Sequence, residues 1–156
     1  MVAATVIGEI GVDMSVFPSH RHLAAWGGTC PGSNESAGKH KPSGARKGNP
    51  YLRTALCNAA IAASRKRGCF YKAKYYRLKS RRGGGRAALA IAHKLLVCIY
   101  HMLSGNTGYR ELGEDYFDIR DSQRATRRYI RRLQDLGFTV ILEAHNQVRR
   151  QAANAL

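Results

Sequence analysis

Residues 49–68 read NPYLRTALCNAAIAASRKRG, and this stretch decides the fold class. Asn49 is a good helix-capping residue, and Pro50 suits the first helical position, where a missing N–H is no loss. Leu52, Ala55, Leu56, Ala59, Ile61 and Ala63 supply the apolar positions of a helix predicted over 50–67. Arg65, Lys66 and Arg67 set cations at the negative end of its dipole, and Gly68 stops it. So many alanines require a neighbouring helix at close range. The expected fold is mainly α: a compact helical domain with at most one short strand near its C-terminus.

Upstream of this helix lies residues 26–53, WGGTCPGSNESAGKHKPSGARKGNPYLR, with six glycines, three serines and three prolines. Lys39, Lys41, Arg46, Lys47 and Arg53 run along it. Glycine-rich backbone brings N–H groups close to an oxyanion, and a helix start adds partial positive charge. Ser33, Ser36 and Ser43 offer hydroxyl nucleophiles, and the residues alone leave the choice among them open. A serine hydroxyl is a weak nucleophile until a base or metal takes its proton. Glu35 and His40 stand nearest in sequence, without a visible orienting partner. The loop suits phosphate chemistry; its plain alternative is a solvated surface loop.

Farther out, residues 2–10 form an apolar helix ended by Gly11, and Ser19 can cap a second, HRHLAAW, in which Leu23 and Trp26 would bury together. Residues 69–82, CFYKAKYYRLKSRR, interleave aromatics with cations, Lys72 and Lys74 among them. One reading makes the rings half-buried core and the cations a solvated face; the other sets the cations along a phosphate backbone. Arg81, Arg82 and Arg86 flank three glycines in what reads as a flexible basic connector. Residues 87–104 follow as the longest apolar helix, with His93 and His101 as packing residues. Then come a basic amphipathic helix over 122–137 and FTVILE, a candidate strand near 138–143. The expected domain is 1–144, with a polar tail over 145–156.

The net charge is +16, and between Glu35 and Glu111 there is no acid against 17 Lys and Arg. A field so one-sided repels itself unless a polyanion neutralises it, so nucleic acid is the expected partner. With 44% apolar residues the chain has material for a core and is no disordered basic tail. No apolar run was expected to reach the ~20 residues of a membrane span. The N-terminus, which carries Glu9 and lacks a basic region, does not read as a signal peptide. Cys30, Cys57, Cys69 and Cys98 lack C-x-x-C spacing and read as reduced thiols of a cytoplasmic protein. No metal set is visible.

Residues 3–63, from AATVIGEIG through CPGSNESAGK to RKGNPYLRTALCNAAIAA, resemble the C-terminal domain of the DEDD-type insertion-sequence transposases. These are relatives of the Piv invertase, also described as bridge-RNA-guided recombinases. The segments 71–103, YREL at 109–112 and 127–143 fit the same pattern, so the resemblance covers nearly the whole chain. It implies DNA transposition by site-specific recombination. Ser36, within SNESAGK, matches the family's nucleophile, which attacks a DNA phosphodiester, forms a phosphoserine and releases a 3′-hydroxyl. It further implies a RuvC-like domain, in cis or in trans, whose four carboxylates hold Mg2+. A guide RNA and homo-oligomerisation of the full-length protein are implied as well.

The ten acids here show no RuvC pattern, so the expectation is a truncated or split transposase that is inactive alone. Lys39, Lys41, Arg46 and Lys47 would offset charge on the phosphorane. Two alternatives share the same charge pattern: a non-catalytic basic nucleic-acid-binding protein and an inactive transposase remnant.

Overall fold

The computed structural model describes residues 2–32, 35, 36, 38–40 and 44–142, with backbone only at 35 and 40. It is mainly helical. The elements are α1 (Val2–Ile10), a 3-10 turn (Met14–Val16), α2 (His20–Trp26), β1 (Glu35–Ser36), β2 (Lys39–His40), α3 (Pro50–Ala63), α4 (Phe70–Arg82), α5 (Gly84–Ser104) and α6 (Tyr116–Asp135). The chain divides into two compact units, residues 1–117 and 118–156.

In the first unit α5 is the central element, touching α2, α3, α4 and the 3-10 turn, while α1 packs on α3. Leu23, Leu52, Leu56, Ile91 and Leu96 are fully buried between these helices. Each such side chain contributes about 1.5–3 kcal/mol by leaving water. Ala55 and Ala60 on α3 and Ala87, Ala88 and Ala92 on α5 are buried as well, and small side chains there admit close helix approach. Tyr100 on α5 donates its hydroxyl to the Phe17 carbonyl at 3.2 Å, tying the 3-10 turn to the central helix.

Asn49 caps α3 as expected, its Oδ1 accepting from the Tyr51 and Leu52 amides at 3.0 Å. The helix ends sooner than expected, at Ala63. Ser64 is its C-cap, and its hydroxyl donates to the Ile61 carbonyl at 2.7 Å. Arg65, Lys66 and Arg67 therefore lie in the turn beyond the helix. The buried face is Leu52, Ala55, Leu56 and Ala60, spaced at three and four residues, whereas Ile61 falls off that face and is exposed.

Trp26 also differs from expectation. Leu23 is buried, but Trp26 is 43% exposed and meets the Phe17 ring at 5.8 Å. The basic connector is a joint of one residue. α4 runs to Arg82 and α5 begins at Gly84, leaving Gly83 between them. Arg81 and Arg82 complete α4, and Arg86 lies in the first turn of α5. With 21 residues, α5 is long and apolar enough to cross a bilayer by length and composition, unlike the sequence expectation. On it Ala87, Ala88, Ile91, Ala92 and Leu96 sit in the core of this unit.

Glu111 holds the start of α4. Cys69, at the N-cap position, makes no side-chain cap, and Glu111 takes the role from 41 residues away by accepting from the Phe70 amide at 2.9 Å. The same carboxylate accepts from the Leu112 and Gly113 amides, the Tyr109 hydroxyl at 2.9 Å and the Cys69 thiol at 3.3 Å. Phe117 closes this end of the unit, stacking on Phe70 at 5.1 Å.

In the second unit, the part of α6 from 118 onward carries Arg120, Arg124, Arg127, Arg128, Arg131 and Arg132. Tyr129, Leu133 and Leu136 are exposed, although the sequence pattern gives them to an apolar side together with Ile130. Residues 138–142 form no strand, and Phe138, Ile141 and Leu142 are exposed. Among the described residues, extended pairing lies instead in the 26–49 segment. The expected tail over 145–156 lies outside the described residues.

Candidate functional site

The glycine-rich segment between α2 and α3 is a pinned hairpin arm. At its root Gly28 and Gly48 cross backbone to backbone. A Cβ built on Gly48 would lie 2.5 Å from the Gly28 Cα and 2.6 Å from the Trp26 carbonyl oxygen, so only glycine permits this crossing. The Asn49 amide donates to the Trp26 carbonyl at 3.2 Å. Further out, the Arg46 amide donates to Cys30 at 3.2 Å and Gly32 to Gly44 at 2.8 Å, with Pro31 and Ala45 bridged between them. Near the tip β1 and β2 pair antiparallel, with Ser36 opposite Lys39 and Glu35 opposite His40. Gly38, at φ 73°, makes the turn.

This register sets which described residue stands across from Ser36. Directly opposed residues of an antiparallel pair carry their side chains on one face, with Cβ atoms roughly 4.5–5.5 Å apart. Lys39 thus lies on the same face of the pair as Ser36, and both are exposed. Lys41, Ser33 and Ser43 lie outside the described residues, as do the side chains of Glu35 and His40.

The arm's root is fastened on two sides. Asn49, while capping α3, donates its Nδ2 to Glu9 Oε2 of α1 at 2.6 Å. Thr29 is buried and donates its hydroxyl to the Ala24 carbonyl at 3.1 Å. His93 of α5 has Nδ1 3.4 Å from that hydroxyl and 4.0 Å from Cys30 Sγ. Burial lowers the His93 pKa, and the charges of Lys94, His20 and Lys74 lower it further, which favours the neutral ring. By sequence His93 is an ordinary packing residue on an apolar helix. Its partner is 64 residues away, and no local pattern reports such a contact.

Two shallow hollows flank this root. Lys47, Arg53, Thr54, Cys57 and Asn58 line one of about 490 Å3. Burial raises the Cys57 thiol pKa, against the pull of Arg53, which disfavours the thiolate. The other hollow, of about 700 Å3, has Trp26, Lys47, Gly48, Pro50, Tyr51 and Glu9 on its walls.

Lys47 and Arg53 therefore meet at one surface, and Arg46 stands exposed on the arm beside them. Lys72, Lys74, Arg81 and Arg82 are carried by α4 and Arg86 by α5, and none of them lines these hollows. Lys74 lies over the Phe70 and Phe117 rings at 5.5 and 5.8 Å, and Arg77 over Phe117 at 5.1 Å. Part of the basic face of α4 is thus engaged with its own aromatics.

Residues 1–77 match the model of the Transposase IS116/IS110/IS902 family. The matched part runs from α1 into α4 and takes in the whole arm, Ser36 and both hollows. It supports an IS110-type transposase domain, a role in transposition, and DNA as the partner. No curated protein and no solved structure matches the chain. Among the described residues no three His, Cys, Asp or Glu side chains cluster in a way that could hold a metal ion. Of the described carboxylates, Glu111 accepts from five donors and Glu9 from Asn49.

Proposed function

We propose that this chain is the serine-bearing domain of a DNA transposase, with Ser36 as its nucleophile. The observation that supports this best is the exposed Ser36 opposite Lys39 near the tip of a glycine-pinned arm, inside the family-matched residues. Ser36 Oγ attacks the phosphorus of a DNA phosphodiester. The Oγ–P bond forms as the P–O3′ bond breaks, the serine proton passes to a base, and the released 3′ oxygen leaves as a hydroxyl. Lys39 offsets the negative charge that builds on the equatorial oxygens, the electrostatic role that dominates phosphoryl transfer. Lys41, Arg46, Lys47 and Arg53 hold flanking phosphates, and Lys72, Lys74, Arg81, Arg82 and Arg86 extend the track.

The Mg2+-binding carboxylates belong to a RuvC-like domain supplied in cis or in trans. A guide RNA and a homo-oligomer complete the reading, which places the protein in the cytoplasm. The test is a covalent adduct assay. The 156-residue chain with Mg2+ and DNA alone should form no adduct, and adding a cognate RuvC-like domain with guide RNA should produce one. Ser36→Ala should abolish the adduct and leave DNA affinity within a few-fold, because one exposed hydroxyl adds little to a phosphate-dominated interface. An adduct that persists in Ser36→Ala would move the assignment to Ser33 or Ser43.

A further inference from the structure

The arm's root brings together groups that phosphate binding alone does not require. Trp26, the chain's single tryptophan, ends α2 and is 43% exposed; Tyr51, in the first turn of α3, is 72% exposed. They line the same shallow hollow, of about 700 Å3. Trp26 meets Phe17, and Tyr51 makes no ring contact among the described residues, so an aromatic surface faces solvent there. Gly48 and Pro50 line the hollow as well, without long side chains. Lys47 supplies a cation to the hollow, and the one carboxylate in it, Glu9, already accepts from Asn49 at 2.6 Å.

We infer that this hollow takes up an unpaired DNA base, stacked on Trp26 and Tyr51, with the adjoining phosphate on Lys47. The inference rests on DNA being the partner and adds the state of that DNA. A base within a duplex has both faces covered by its neighbours, whereas an unpaired base can turn a face to an aromatic ring. Charge favours a polyanion here, and stacking favours a single strand. The hollow sits at the root of the arm, and Ser36 lies nearer its tip.

Trp26 makes the test direct, because all tryptophan emission comes from the site. The full chain would be titrated with oligo-dT, with the same strand made abasic, and with a duplex of equal length, following emission and anisotropy together. Saturable quenching by oligo-dT alone is expected. Tyr51→Leu should lower oligo-dT affinity by about 5- to 150-fold, the equivalent of one stacked base, while duplex affinity stays within two-fold. Tyr51 is exposed, so the variant should keep the wild-type circular dichroism spectrum. Binding by anisotropy with unchanged emission and a silent Tyr51→Leu would overturn the stacking site and leave DNA binding standing. Absence of all binding would overturn both. Quenching by oligo-rU with none by oligo-dT would overturn the assignment to DNA.

Discussion

Asn49 and Glu9 are joined by a 2.6 Å hydrogen bond that makes one side chain both the cap of α3 and its tie to α1. The two functions use different atoms: Oδ1 faces the α3 amides and Nδ2 faces the carboxylate. Asn49→Asp keeps the acceptor but sets two carboxylates against each other. It should lower stability at neutral pH by about 1–3 kcal/mol, as loss of a charged hydrogen bond does. Adding Glu9→Gln should recover most of that loss, because the amide can donate to the new carboxylate. A double-mutant cycle by chemical denaturation measures the coupling, and simple additivity would show that the tie contributes nothing.

Gly48→Ala and Gly38→Ala should behave differently. At Gly48 the new methyl meets the Gly28 Cα and the Trp26 carbonyl, which are backbone and cannot swing aside. The arm's root must open, at a cost of about 1–3 kcal/mol or more. At Gly38 there is open space, and only the positive φ of 73° penalises a side chain, by roughly 1–2 kcal/mol. Amide exchange at Asn49 and Arg46 should quicken sharply in Gly48→Ala and little in Gly38→Ala.

Glu111 gives this protein an acid-sensitive joint. Burial alone would raise its pKa. Hydrogen bonds from the Phe70 amide, the Tyr109 hydroxyl, the Cys69 thiol and the Gly113 amide outweigh it and hold the carboxyl at about 2, below its ordinary 4.5. A lowered folded-state pKa means stability present above about pH 4.5 and lost as pH falls toward 2. The site is solvent-accessible, so screening leaves a contribution on the order of 1 kcal/mol. Glu111→Gln should lower stability at pH 7 by about that amount and flatten the acid limb of a stability–pH curve. An unchanged acid limb would remove Glu111 from that role.

Arg81, Arg82 and Arg86 offer a test of binding apart from chemistry. If 6–10 phosphates are engaged, affinity should fall by about 10³–10⁵ between 50 and 200 mM salt. Replacing all three arginines with glutamine should lower the salt slope and weaken DNA binding. Because Arg81 and Arg82 complete the last turn of α4, the triple variant should also lose about 0.3–1 kcal/mol per residue there. Thermal unfolding alongside the salt titration separates the two effects, and an unchanged slope would take these residues off the track.

Much of the helical plan was legible in residue order. Asn49-Pro50, the 52/55/56 spacing, Gly11 and the apolar run ending at Ser104 are local signals, and each acts within one or two turns of backbone. The Gly28–Gly48 crossing, the Ser36–Lys39 register, the Thr29–His93 contact and the Glu111 cap of α4 were not legible. They join residues from different stretches of chain or depend on how a loop folds back, and only the closed tertiary structure chooses those partners. Trp26 shows the same division: its spacing from Leu23 fits a buried pair, but packing around α5 admitted Leu23 and left Trp26 at the surface. Composition and charge pointed to a polyanion because they need no geometry. Which hydroxyl stands opposite which cation needed the hairpin, since a shift of one residue in its register would turn every side chain to the other face.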